Sequence, residues 1–390
     1  MHKVNGGIDM DTSNDIYRKL QKHIDNNMPV GLPESKSGLD IKLLKHIFTP
    51  EDAEIALELS ALPEPLERIH KRLKRKGIPI EELEQTLDKL VKKGAILDCK
   101  HFVKKGKGKY YSKAMMVVGM FELQAEKLTK EYAKDFMDYL KEGFYREVFS
   151  KKTSQMRTIP INLSVTPENN IDTYDNIKEI VKNSTGQIAA LHCVCRESKD
   201  LLEDPCKQSD IRETCLLFEG SASMILDMGR ARCISKEEAL GILEKAETAG
   251  FILQPSNSQK PQFVCCCCGC CCEALGSFKM FPRPVEYFHS NYQSEIDSDM
   301  CSGCEECIEI CSMEALALVD DFSTVDPDRC IGCGVCVPKC PSDAITLKNK
   351  VNKFIPPKDH DSMYQKILLE RIGMLGMLKV IPKAILGKKI

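Results

Sequence analysis

Eight cysteines in two runs of one spacing constrain this chain more than any other feature. Cys301, Cys304, Cys307 and Cys311 are set C-x2-C-x2-C-x3-C, and Cys330, Cys333, Cys336 and Cys340 repeat the pattern 29 residues later. Neighbours repeat with them: Gly303 matches Gly332, Ala315 matches Ala344, and Leu316 matches Ile345. Each half therefore predicts a ligand loop, a short helix and an apolar strand. The whole chain has 21 cysteines among 390 residues and no tryptophan. Such cysteine use in a small secreted protein means a disulfide scaffold, but this chain is long enough for two or three domains. Met1 to Gly31 lacks a basic start followed by an apolar core and a small-residue cleavage site, so a reducing, cytoplasmic compartment is expected. Clustered thiols there serve as metal ligands. Apolar residues make up 43% and charged residues 29%, an ordinary globular balance, and no apolar stretch reaches the roughly 18 to 20 residues needed to cross a bilayer.

Over Asp297 to Lys348 the sequence resembles bacterial-type ferredoxins with two [4Fe-4S] clusters. Three cysteines at intervals of three wrap a loop around one corner of a cubane while loop amides point at its sulfurs, and glycines let the backbone approach. In that family the fourth cysteine of each run crosses to the other cluster. The resemblance therefore implies one cluster on Cys301, Cys304, Cys307 and Cys340 and a second on Cys330, Cys333, Cys336 and Cys311. Ser312 departs from the pattern, standing where the second half has Pro341. A zinc ribbon is the competing use of paired cysteines, and the doubled spacing disfavours it. Paired clusters suit electron transfer. The same segment holds eleven acids and three bases, which predicts redox protein partners with a basic docking surface and salt-sensitive association.

The other cysteines gather in the centre. A strand over Gln187 to Leu191 leads into His192-Cys193-Val194-Cys195-Arg196, and strand alternation would turn Cys193 and Cys195 to one face, with His192 away from it. With Cys206 and Cys215 they make a candidate third cluster site, and Arg196 would offset its charge or donate to its sulfurs. Seven more cysteines lie between Cys265 and Cys272 around Gly269, whose freedom would permit a sharp turn. Of these, Cys265, Cys267, Cys268, Cys270 and Cys271 are candidate further ligands, and the rest would be spectators or donors to the ligating sulfurs. This segment followed by a ferredoxin repeat is similar to a group of iron–sulfur proteins from anaerobes, and Cys267 to Gly269 is similar to the cysteine domains of heterodisulfide reductases. One or two further clusters are expected, with zinc or unmetallated thiols as the alternatives.

The N-terminal part has only Cys99. Thr49-Pro50-Glu51-Asp52 opens a helix to about Leu62, a second helix runs from Glu64 to Lys76, and a third from Ile78 to Gly94. Strands over Ala95 to Val103 and Tyr110 to Gly119 flank a lysine-rich turn at 104–109. From about Leu39 to Gln124 this resembles winged helix-turn-helix domains. Arg68, Lys71, Arg72, Lys74, Arg75, Lys76 and the turn lysines suit phosphate contact, whereas Glu81, Glu82 and Glu84 oppose major-groove entry, so nucleic acid is disfavoured as a partner but stays open. From Ser362 to Ile390 six bases face one acid among apolar residues, a tail suited to an anionic membrane surface, a partner groove or its own protein, with Pro382 ending its helix.

The expected fold is an α+β multidomain chain. Residues 1–38 would form a helical extension, 39–125 a winged-helix-like domain and 126–295 an α/β cysteine-rich domain. A ferredoxin-like domain would follow over 296–350 and a basic amphipathic tail over 351–390. Nucleotide-binding loops, H-E-x-x-H and nucleophile elbows are missing, so hydride transfer, phosphoryl transfer and hydrolysis lack their usual equipment. An electron-transfer component of a larger redox system is expected, in the cytoplasm or at its membrane surface. The alternatives are a redox-sensing DNA-binding regulator and an enzyme with an open iron site.

Overall fold

The computed structural model describes residues 10–103, 108–149, 151–166 and 171–390. It mixes helices and strands in two compact units. One comprises the described residues up to Gln124, Glu131–Val148 and Arg371–Ile390; the other comprises Ala125–Lys130 and the described part of Phe149–Glu370.

In the first unit the helix Pro50–Ala56 is opened by a reciprocal cap between Thr49 and Asp52. It stops well before Leu62, because the chain turns to place β1 (Glu64–Pro65) against a distant strand. The second helix accordingly begins at Leu66 rather than Glu64. The third, Ile80–Lys93, buries Leu83, Leu87, Leu90 and Val91 and ends at Gly94 with φ 76°. The hairpin strands are shorter than expected, β2 covering Ile96–Asp98 and β3 Tyr110–Lys113, and the sheet order is β1-β3-β2. Lys104, Lys105 and Lys107 lie outside the described residues. Helix Met10–Asn27 belongs to this unit: Tyr17 donates to the Phe48 carbonyl at 2.9 Å and Arg18 pairs with buried Asp40 at 2.6 Å.

The chain end also returns to this unit. Arg371 pairs with Asp25 at 2.8 Å and Glu147 at 2.7 Å, and the Ile390 carbonyl accepts from Ala61 N and Lys113 Nζ. The tail helix, His360–Ile385, is interrupted at Gly373 (φ 66°), not at Pro382. Pro382 sits in the last turn, where loss of one amide donor leaves little helix to break. Met374, Leu375, Leu378, Ile385 and Leu386 remain exposed, and no described helix is long and apolar enough to cross a membrane.

The second unit is built on a five-stranded sheet ordered β6-β4-β5-β8-β7, antiparallel throughout. Its strands are β4 (Ile188–His192), β5 (Glu213–Phe218), β6 (Arg232–Ile234), β7 (Ile252–Pro255) and β8 (Phe263–Cys267). Helix Lys236–Thr248 is capped by Ser235 and buries Ala239, Ile242, Leu243 and Ala246. The cysteine repeat supplies two hairpins. β9 (Tyr292–Ile296) pairs with β12 (Ile345–Asn349), and β10 (Leu316–Val319) with β11 (Phe322–Val325). Met313, Ala315, Cys330, Ile331 and Val335 join the same apolar core as Val264, Leu253 and Phe251, so sheet and repeat fold around one interior. A buried ion pair between Arg157 and Asp175 helps bind them: Arg157 donates to the Ser256 and Ser258 carbonyls, and Asn291 donates to Asp175 at 2.8 Å. Each charge thus has several partners, as a desolvated pair requires.

Candidate metal centre

The repeat reaches far beyond its cysteines. Ser323 N donates to Cys301 Sγ at 3.4 Å, and Ser294 N, 29 residues earlier, donates to Cys330 Sγ at 3.4 Å. Ala315 N donates to Cys311 Sγ and Ala344 N to Cys340 Sγ, each at 3.3 Å. The Ser323 hydroxyl lies 3.4 Å from Cys307 Sγ, and that of Ser294 lies 3.2 Å from Cys336 Sγ. Backbone angles follow the same offset: Gly303 and Gly332 have φ 67° and 63°, Glu305 and Gly334 65° and 74°, Glu314 and Asp343 51° and 54°. A Cβ on Gly303 would meet the Asp321 carbonyl at 2.6 Å, and one on Gly332 the Tyr292 carbonyl at 2.1 Å. Glycine is required at both by left-handed φ and by close approach.

Cys311, Cys330, Cys333 and Cys336 line one small cavity, together with Ser294 and apolar residues including Ile252, Ile310, Leu316 and Val325. Burial pushes the Cys333 thiol up and that of Cys336 up to about 12. Four soft sulfur donors in a largely apolar chamber, with Cys311 and Cys330 already accepting amide hydrogen bonds, fit an iron–sulfur cluster better than a hard cation. Of the other four thiols, Cys304 is exposed, Cys301 and Cys340 are half-buried, and Cys307 is buried.

Residues 323–346 match the 4Fe-4S binding domain family. The match contains Cys330, Cys333, Cys336 and Cys340 along with Ser323. The chain thus carries an iron–sulfur, metal-binding domain for at least one 4Fe-4S cluster. No curated protein matches the chain.

The central cysteines form two groups, divided differently from the expectation. Cys206 lies 3.7 Å from Cys268 and 3.6 Å from Cys270; Cys270 lies 3.6 Å from Cys268 and 3.7 Å from Cys271. Cys193 and Cys195 contact each other, and a line of thiol contacts runs from Cys195 through Cys272, Cys267 and Cys265 to Cys215. Alternation does not explain how Cys193 and Cys195 meet. β4 ends at His192, Cys193 caps the helix Val194–Leu201, and Cys195 lies in its first turn. It is β8 that alternates, with Cys265 opposite Cys215 and with Cys266 turned into the core. Contact with Cys271 draws the Cys268 thiol toward thiolate, with help from Arg196.

Arg196 is buried between the groups. It donates to Thr214 at 2.5 Å and to the Cys266 carbonyl at 3.1 Å, and its guanidinium stacks 4.0 Å from the Phe251 ring centre. Burial opposes its charge, yet Cys193, Cys268 and Cys267 hold it firmly in the charged form. His192 is exposed beside Glu126. Gly269 has no left-handed φ; a Cβ there would meet Ser312 at 2.8 Å, so close approach, not a turn, calls for glycine. Sequence reasoning missed Cys272, Ser294 and Ser323. The serines were visible as a 29-residue pair, whereas Cys272 caps helix Glu273–Lys279 without the usual hydroxyl or carboxamide signature.

Proposed function

We propose that the chain relays single electrons through two [4Fe-4S] clusters, as a component of a larger redox system. The observation that carries this reading is the doubled set of sulfur hydrogen bonds at one 29-residue offset, with four thiols lining one cavity. Cys330, Cys333, Cys336 and Cys311 would hold one cluster; Cys301, Cys304, Cys307 and Cys340 the other. Such a cluster, when bound, takes up and releases one electron with little structural change.

The polypeptide provides the setting for that exchange. Amides of Ser294, Ser323, Ala315 and Ala344 offset negative charge on the sulfurs, and Ile252, Ile310, Leu316 and Val325 keep water from the buried set. Glu305, Glu306 and Glu309, exposed in the stretch just after exposed Cys304, make a surface suited to a basic partner. The thiols from Cys193 to Cys272 extend the sulfur-rich region inward as candidate ligands for a further centre.

The helix, strand and hairpin order of the first unit, with β1 seated beside β3, supports a winged-helix-like element. Its bases favour protein docking over DNA: Arg72 pairs with Glu64 at 2.5 Å, Lys76 with Glu54 at 2.8 Å, and Lys109 with Asp88. Anaerobic purification with iron and acid-labile sulfide analysis, followed by electron paramagnetic resonance, tests the proposal. At least about eight irons and about eight sulfides, with signals from two interacting reduced clusters, are expected; colourless, iron-free protein would end it.

A further inference from the structure

Cys206, Cys268, Cys270 and Cys271 stand apart from the repeat in geometry. All four sulfurs lie within 4.8 Å of one another, and four of the separations are 3.6 to 3.7 Å. Metal–sulfur bonds of about 2.3 Å around one tetrahedral ion put its sulfurs about 3.8 Å apart. A four-iron cage holds them further apart, because each cysteine binds a different iron. Tetrahedral four-thiolate coordination selects zinc or iron.

The backbone brings the four together from two places. Cys268 follows the end of β8, Cys270 and Cys271 complete the turn past Gly269, and Cys206 comes from the loop after helix Val194–Leu201. Four thiolates around a divalent ion leave two negative charges, and buried Arg196 supplies a fixed positive charge beside them. We propose that Cys206, Cys268, Cys270 and Cys271 bind one metal ion, zinc or a single iron, separate from the clusters of the repeat. The ion would pin that loop to the end of β8. At Gly269 the same turn packs against Ser312, the neighbour of Cys311, so the site also steadies one wall of the buried cavity.

The test compares metal with sulfide. A cubane contains iron and sulfide in equal numbers, so full-length protein purified without oxygen should hold about one metal per chain in excess of its acid-labile sulfide. If zinc is the ion, its X-ray absorption edge should report a shell of sulfur only, at about 2.3 Å; if iron, the excess is iron. Cys206→Ser and Cys270→Ser should each remove that excess and leave sulfide unchanged, while Cys233→Ser, at an exposed thiol outside both groups, should change neither. Loss of about four irons together with their sulfide from Cys206→Ser would overturn the proposal in favour of a cluster. So would wild-type protein whose total metal equals its sulfide, a measurement that holds even if the variants do not fold.

Discussion

The two halves of the cysteine repeat share a backbone and differ in what covers them. Gly334 and Glu305 occupy matching positions with φ 74° and 65°. A Cβ on Gly334 would strike the Ser164 hydroxyl at 2.1 Å, because the rest of the unit packs over this half; Glu305 projects into solvent and tolerates the strain. Cys330 and Cys336 are buried where Cys301 is half-buried, while Cys307 is buried as well. Duplication thus supplied two similar thiol sets; one lines a cavity in the core, and the other reaches the surface at Cys304. An electron relay needs both, one for a partner and one for passage inward.

Removing a ligand should expose this difference most strongly. Cys330→Ser is expected to lose about four irons and to lower thermal stability sharply, because Cys330 belongs to the core shared with the sheet and the cluster's binding energy is lost from that core. Cys304→Ser should lose a similar amount of iron with a much smaller fall in melting temperature. Iron analysis paired with calorimetry checks both, and equal falls in stability would erase the contrast.

Backbone substitutions sharpen it. Gly332→Ala meets a carbonyl at 2.1 Å as well as a left-handed φ, and should destabilise by more than about 2 kcal/mol; Gly303→Ala, at 2.6 Å, should cost less. Glu305→Gly should instead stabilise by about 0.5 to 1 kcal/mol, since it relieves strain without a packing loss. Denaturant unfolding of the metal-loaded protein measures all three.

Much of this architecture is legible in the order of the residues alone. The spacing of Cys301 to Cys340 dictates loops and ligand sets, and Gly303 and Gly332 announce close backbone approach. The 29-residue offset also contains Ser294 and Ser323, residues that look unremarkable without the strand pairing that carries their amides to the sulfurs. The central thiols are harder to group. Their arrangement depends on a helix beginning at Val194 and on β8 lying beside β5, neither of which local periodicity states. β1 is only two residues long, and a strand made by its partner alone has no pattern of its own.

Hydrogen bonds to the sulfurs should separate the halves by potential. Once the sulfurs are thiolates, the Ser294 hydroxyl donates to Cys336 and that of Ser323 to Cys307. Such bonds favour the more negative, reduced state, so Ser294→Ala and Ser323→Ala should each lower the potential of their own cluster. A differential of about 1 kcal/mol corresponds to about 40 mV for one electron. The Ser294 change should be the larger, because its sulfur faces the water-poor cavity where electrostatic terms are less screened. Redox titration followed by paramagnetic resonance resolves the two shifts.

The smallest effect concerns encounter with a partner. Glu305, Glu306 and Glu309 are exposed just after Cys304 in the chain, and their attraction for a basic redox protein acts mainly at long range on the rate of association. Replacing all three by glutamine should slow electron exchange with such a protein several-fold at low ionic strength. At about 0.5 M salt the Debye length falls to a few ångströms and the difference should vanish. Glu81→Gln with Glu82→Gln, exposed acids of the first unit, provides the control: total charge falls there too, but the docking surface is untouched. Stopped-flow rates across a salt series decide the matter. If the control slows exchange as much as the triple variant, net charge rather than the surface at Cys304 governs encounter, and the outer half of the repeat loses its claim to be the point of entry.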